Sequence, residues 1–395
     1  LGLTEEPPII IREHTMDKDA RAIVGAGLEK YKNLYTMMKY NGEALTSYRP
    51  RGPWAEIQRE LSSITSQHIT NIHLEPFRYG ATRFIQKCVK AAQTIHHANG
   101  LHLYPLAYWA WPDSPDKAPI RQYERDWIWF EAWARYAWNP DREVTDEDQY
   151  WISRLTEVYG SREAATHILE AYNHSGLCAP MILRRFGITN GNRQTLSLGM
   201  TLDQLVNPEK YRLWPRLVDS DSPVGERLRE YVEKEWKGQK HVGETPMQVI
   251  DQVLTHSRTA ITEVNRAKDH VRKNQEEFER LKNDMLCIRA MSECYAAKAR
   301  AAMLILRYEF SKDAADMKKA LAFLEESIRH YRILVDLTKE TYAFANSLQM
   351  GIRKIPFTGS DGQYKHWTEC MEVYEKELKD FRQKMENEIS TGAKD

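Results

Sequence analysis

Apolar residues change their period along the chain, and the change divides it. Short β-type runs come first, at residues 8–12, 33–40, 69–74 and 101–109, each followed by a helical pattern. The intervening helices are predicted at residues 18–31, 54–64 and 81–99. In the last of these, Phe84, Cys88, Ala91, Ala92 and Ile95 recur at helical spacing and Gly100 supplies the stop. Strands alternating with helices imply parallel βαβ units. No glycine-rich phosphate turn follows any strand, so a (β/α) barrel is expected before a doubly wound sheet.

After Trp111 the pattern becomes helical. Pro112, Pro115 and Pro119 break the chain, and an aromatic helix follows at 121–138 with Trp127, Phe130 and Trp133 along one face. Trp127, Trp129 and Trp133 are read as core packing. Helices are predicted at 146–159, 162–174 and 180–186, then a loop-rich connector at 187–222. From Thr245 four long helices are expected, marked first by Ile250, Leu254, Ile261, Val264, Val271 and Phe278. The later three carry Met285 to Ile305, Leu321 to Leu334 and Trp367 to Phe381. The fold class is thus α/β followed by all-α. Three regions result: a barrel portion at 1–140, a helical extension and connector at 141–222, and a helical bundle at 223–395.

Composition narrows the classes of function. Of 395 residues, 42% are hydrophobic and 28% charged, the balance of a globular chain. Lys+Arg and Asp+Glu each number 56, so no global field draws the chain to nucleic acid or an anionic membrane. The five cysteines are scattered, without metal-type spacing, and Cys287 and Cys294 sit a heptad apart as core positions. No cofactor or metal is expected. A homodimer through the helical region is the expected self-association.

In a parallel barrel the chemistry sits on the loops after the strands. Arg12, Glu13 and His14 follow the first run. Lys39, Tyr40, Asn41 and Glu43 follow the second, with Arg49 and Arg51 beyond. His73, Glu75 and Arg78 follow the third, and Tyr108, Trp109 and Trp111 close the fourth. Glycosidic cleavage needs one carboxylic acid to protonate the leaving oxygen and a second carboxylate to attack or to activate water. Glu43 and Glu75 are the candidate catalytic pair. The tryptophans offer flat faces to sugar C–H groups. Arg12, Lys39, Arg49, Arg51 and Arg78 form an excess of cations suited to a substrate carboxylate. His14, Asn41, His73 and Tyr108 complete the candidate substrate contacts. Two other readings stand beside this one: a carbohydrate-binding barrel that keeps the tryptophans without needing the glutamates, and an interaction protein whose working part is the bundle.

Several segments resemble bacterial (β/α)₈ glycoside hydrolases that break down polysaccharides. They are 7–12, 33–53 (NLYTMMKYNGEALTSYRPRGP), 73–80 (HLEPFRYG) and 101–112 (LHLYPLAYWAWP). The stretch 134–140 (ARYAWNP) is similar to a motif of α-glucuronidases, and 352–362 (IRKIPFTGSDG) to the end of such chains. The resemblance implies hydrolysis at an acidic sugar of a polysaccharide or oligosaccharide, and a periplasmic or secreted location, with the cytoplasm left open. It conflicts with the strand count, since four strands cannot close a barrel of eight. The expectation is that strands preceding Leu1 complete it, and that the chain from Leu1 alone is not catalytically self-sufficient.

Overall fold

The computed structural model describes residues 5–12, 20–40, 46–49, 51–52, 55–56, 65–69, 76–103, 111–186, 199–211, 223–345 and 365–392. Four strands form one parallel sheet: β1 (Ile9–Arg12), β2 (Leu34–Lys39), β3 (Thr65–Ile69) and β4 (Gly100–Leu103). They lie in sequential order, β1-β2-β3-β4. Pairing runs Ile9 to Leu34, Thr36 to Thr65 and Ser66 to Gly100. Among the described strands this order has no reversal, and so no crevice of the kind at which doubly wound folds bind ligands.

Helix α1 (Ala20–Lys30) joins β1 to β2, and α2 (Thr82–Thr94) joins β3 to β4. The face of α2 carrying Phe84, Ile85, Cys88, Val89, Ala91 and Ala92 is buried, as its spacing predicts. Strand β3 begins and ends earlier than the run at 69–74. Thr65, Ser66, Gln67 and His68 are polar, and they pair because neighbours on both sides supply backbone partners. Periodicity alone passes over such a strand.

Beyond the sheet the chain is helical. A short turn of helix, α3 (Gln122–Arg125), leads into α4 (Trp127–Trp138), α5 (Val144–Tyr159) and α6 (Arg162–Phe186). Trp129 and Trp133 are buried and meet edge to face at 5.3 Å, which is the core role expected of them. The two predicted helices at 162–174 and 180–186 are one, continuous through Pro180. A proline there cannot donate to the carbonyl four residues back, at Gly176. That carbonyl instead accepts the Tyr79 hydroxyl at 3.3 Å, and α6 runs on.

Helix α7 (Leu202–Val206) and α8 (Leu228–Lys237) precede the bundle of α9 (Pro246–Lys268), α10 (Gln275–Ser311), α11 (Ala314–Thr338) and α12 (Trp367–Gly392). The helix predicted from Ile250 to Phe278 is broken at residues 269–274. The Tyr159 carbonyl, at the end of α5, accepts the backbone N–H of Arg272 and Lys273 at 2.9 and 3.1 Å, and Asn274 turns left-handed at φ 50°. A partner remote in sequence overrides local periodicity here. Phe278 therefore opens α10, and Cys287 and Cys294 are buried within it.

Candidate active site

The residues at the ends of the strands start from firm footings. Tyr40 directly follows β2 and is buried, and its hydroxyl donates to the Ser47 carbonyl at 2.9 Å. That bond joins the two sides of the loop that carries Asn41 and Glu43 in the sequence. His96 meets the Tyr40 ring edge-on at 5.3 Å. Burial raises the Tyr40 hydroxyl well above its ordinary pKa, with Cys88 adding to the shift, so it serves as a neutral donor. Tyr48 lies beyond, with Lys87 Nζ 5.0 Å and the Arg49 guanidinium 5.7 Å from its ring centre. Arg49 and Arg51 are exposed at this edge.

Residues 76–80, after β3, are held from several sides. The Pro76 carbonyl accepts from Arg125, and Phe77 stacks on Trp367 at 5.6 Å with 13° between the rings. Arg78 is only 2% exposed. Its Nε meets Glu277 Oε1 at 2.6 Å, one terminal nitrogen meets Asp116 at 2.7 Å, and the other meets Asp284 at 3.1 Å. Burial pulls its pKa down, but the carboxylates of Asp284, Asp116 and Glu277 hold it well above the ordinary value. A guanidinium so committed has no donor fork to offer a substrate. The assignment of Arg78 to substrate binding is corrected on that ground: it is a structural cation.

Asp116 is shared, meeting Arg125 Nε at 3.3 Å as well as Arg78. Burial opposes ionisation there, and Arg125 and Arg78 outweigh it, so its pKa falls below the ordinary range. Asp126 lies beside Arg125 at 3.3 Å and shows the opposite outcome. Complete burial outweighs the pairing and pushes its carboxyl up to about 6.

Past β4, Trp111 is 46% exposed and meets Tyr123 and Phe130 at ring distances of 6.3 and 6.0 Å. Tyr123 is itself 53% exposed. The base beneath them is firm. Gln122 donates its backbone N–H to the Pro112 carbonyl at 3.1 Å and its side-chain amide to the Asp113 carbonyl at 2.8 Å. Asp113 pairs with Arg121. Two exposed rings at an angle offer stacking faces of the kind sugar rings use.

The other candidates divide as follows. Glu43, Glu75, His14, Asn41, His73, Tyr108 and Trp109 lie outside the described residues. Arg12 and Lys39 are placed as strand residues, opposite Met37 and His68 respectively. The structure brings together Tyr40, Ser47 and Tyr48 after β2, and Trp111 with Tyr123 after β4. Tyr123 was missed because residues 121–138 were read for the core face of a helix. The partners of Arg78 on α10 were missed because the bundle helices were read by their apolar positions alone. One signal was available: Asp284 interrupts the apolar stripe of Leu281, Met285 and Ile288. Among the described residues no group of three or more His, Cys, Asp or Glu side chains is arranged to hold a metal ion. No helix among them is long and apolar enough to cross a membrane.

No protein-family model and no curated protein matches the chain. A solved structure does. It is described as a GH138 enzyme targeting pectin rhamnogalacturonan II, and it superposes with a TM-score of 0.93 at 46% identity. The chain is similar to part of that enzyme. The match covers 98% of this chain and 57% of the other, so the chain spans little more than half the length of the protein it resembles.

Proposed function

We propose that this chain is part of a glycoside hydrolase that acts on a pectic polysaccharide, cleaving at a uronic acid. The observation that carries the reading is the 46% identity, sustained over 98% of the chain, with an enzyme described as targeting pectin rhamnogalacturonan II. In this reading the four sequential parallel strands are a portion of a (β/α) barrel that further strands complete. The loops after them form the mouth. Glu43 and Glu75, on the loops after the second and third strands, are the catalytic carboxylates. One protonates the glycosidic oxygen as the bond to the anomeric carbon breaks, and the other attacks that carbon or takes a proton from the attacking water. A separation of about 5–5.5 Å gives retention and about 6.5–9.5 Å gives inversion. Arg12, Lys39, Arg49 and Arg51 are the cations left to meet the sugar carboxylate once Arg78 is removed from the set, and of these Arg49 and Arg51 are exposed. Trp111 and Tyr123 stack on the sugar chain. A periplasmic or secreted location suits such a substrate.

The test is Glu43→Gln and Glu75→Gln, made in the protein that includes the strands completing the barrel and assayed for sugar released from rhamnogalacturonan II oligosaccharides. Loss of a proton donor or a nucleophile should lower kcat by at least about a hundredfold with the fold intact. Retention of more than about a tenth of the wild-type kcat removes that glutamate from the pair. Binding of the oligosaccharide without release of sugar, by the unaltered protein joined to the strands that complete its barrel, would instead identify a carbohydrate-binding module.

A further inference from the structure

The loops after the third and fourth strands are gripped by one short piece of the helical region, residues 341–343. Its backbone reaches the fourth-strand loop twice: Lys117 N–H donates to the Thr341 carbonyl at 2.9 Å, and Ala343 N–H donates to the Pro115 carbonyl at 2.9 Å. Its central side chain reaches the third-strand loop. The Tyr342 ring meets Phe77 edge-on at 5.7 Å and Trp367 at 5.9 Å, and its hydroxyl donates to Asp284. Asp284 in turn accepts both the backbone N–H of Arg78, at 2.9 Å, and its guanidinium, at 3.1 Å. Asp116, on the fourth-strand loop, takes the other end of the same guanidinium at 2.7 Å. The two loops are thereby tied to each other and to α10.

Three of the charged side chains here, Arg78, Asp284 and Asp116, are between 1% and 4% exposed. Burying charge is expensive, and apolar residues of similar volume usually give equal or greater stability. In some proteins a buried charged network fixes one arrangement through its donor and acceptor directions, and here three carboxylates converge on one guanidinium. Displacement of about 1 Å at a reacting group can cost a hundredfold in rate, so a site built on two loops needs that fixity.

We infer that Tyr342, Asp284 and Arg78 are positioning residues that hold the third- and fourth-strand loops in catalytic register, making the helical region part of the active-site scaffold. The inference rests on the hydrolase reading, in which these loops border the mouth, and Glu75 immediately precedes Pro76 in the sequence.

Tyr342→Phe tests it by deleting one hydroxyl while keeping the ring against Phe77 and Trp367. On rhamnogalacturonan II oligosaccharides, kcat should fall about ten- to a hundredfold, with KM changed less than about threefold. A role confined to stability would lower the melting temperature and leave kcat per folded molecule unchanged. Glu277→Gln supplies a second probe should Tyr342→Phe fold poorly. Glu277 is 25% exposed at the rim of the network and holds Arg78 Nε at 2.6 Å. Wild-type kcat in the folded variants overturns the inference, and a dead Glu75→Gln beside them shows that the hydrolase reading still stands. Normal turnover by Glu75→Gln removes that glutamate instead, and a lowered kcat in Tyr342→Phe then still upholds the clasp. If the unaltered protein, joined to the strands that complete its barrel, releases no sugar, the hydrolase reading falls and this inference with it.

Discussion

Replacing Arg78 with methionine should destabilise the protein by about 3 kcal/mol, and the structure gives the reason for that size. Removing one partner from a buried ion pair costs about 3–5 kcal/mol, because the other charge is left without compensation. Here three carboxylates lose a cation, but two keep other partners. Asp116 retains Arg125 at 3.3 Å, and Asp284 retains the Tyr342 hydroxyl and the backbone N–H of residue 78. Glu277 is 25% exposed and can turn to water. These compensations put the loss at the lower end of the range. A kilocalorie shifts the melting temperature by about 2–4 °C in a chain of 150–250 residues and by about 1–2 °C in a longer one, so a fall of about 3–6 °C is expected. Thermal and urea unfolding followed by circular dichroism would measure it. A double-mutant cycle sharpens the test. With Asp284→Asn also present, one stranded carboxylate is gone, and the pair should lose less than the sum of the single changes by about 1–3 kcal/mol. A single-variant loss below about 1 kcal/mol, or additivity within about 0.5 kcal/mol, would refute the idea that Arg78 is held by its charge.

Two further changes probe packing and titration. Gly176→Ala would put a Cβ 2.3 Å from the Ala81 Cβ and 3.0 Å from the Tyr79 ring. Alanine gains about 1 kcal/mol in helix propensity. The overpacking costs typically 1–3 kcal/mol, more where backbone must shift, so a lower melting temperature is expected and a higher one would contradict the packing. Asp126 titrates at about 6 in the fold against an ordinary 3.8. The folded chain therefore holds its proton where the unfolded chain has released it. Stability from this group is complete below about pH 3.8 and is lost as pH rises through 6, with a ceiling of about 3 kcal/mol. Asp126→Asn abolishes that titration, so the variant should gain on the wild type as the pH of urea unfolding rises from 4 to 7. Parallel curves would show that burial does not control this carboxyl.

The residue pattern determined the class of element at most positions. The buried face of α2, the packing role of Trp129 and Trp133 and the long helices after Thr245 all follow from spacing, because burial on one side of a helix forces apolar residues to recur every three to four positions. Parallel pairing followed from the alternation of strand and helix. The choice of loop residues as candidate chemistry came the same way, and for Trp111 the structure shows an exposed ring beside a second one.

Tertiary structure decided what local pattern cannot hold. Strand β3 is polar and exists through its two neighbours. The break at 269–274 is made by a carbonyl more than a hundred residues earlier in the chain. Helix α6 continues through Pro180, and the Gly176 carbonyl that the proline cannot serve accepts the hydroxyl of Tyr79. Arg78 is the plainest case. Beside a strand end an arginine reads as a cation for substrate, and only the fold brings Glu277 and Asp284, 199 and 206 residues away, within hydrogen-bond reach. Hydrophobic burial is a property of one residue and its near neighbours, so it leaves a periodic trace in the chain. Charge compensation belongs to pairs, and pairs distant in sequence leave none.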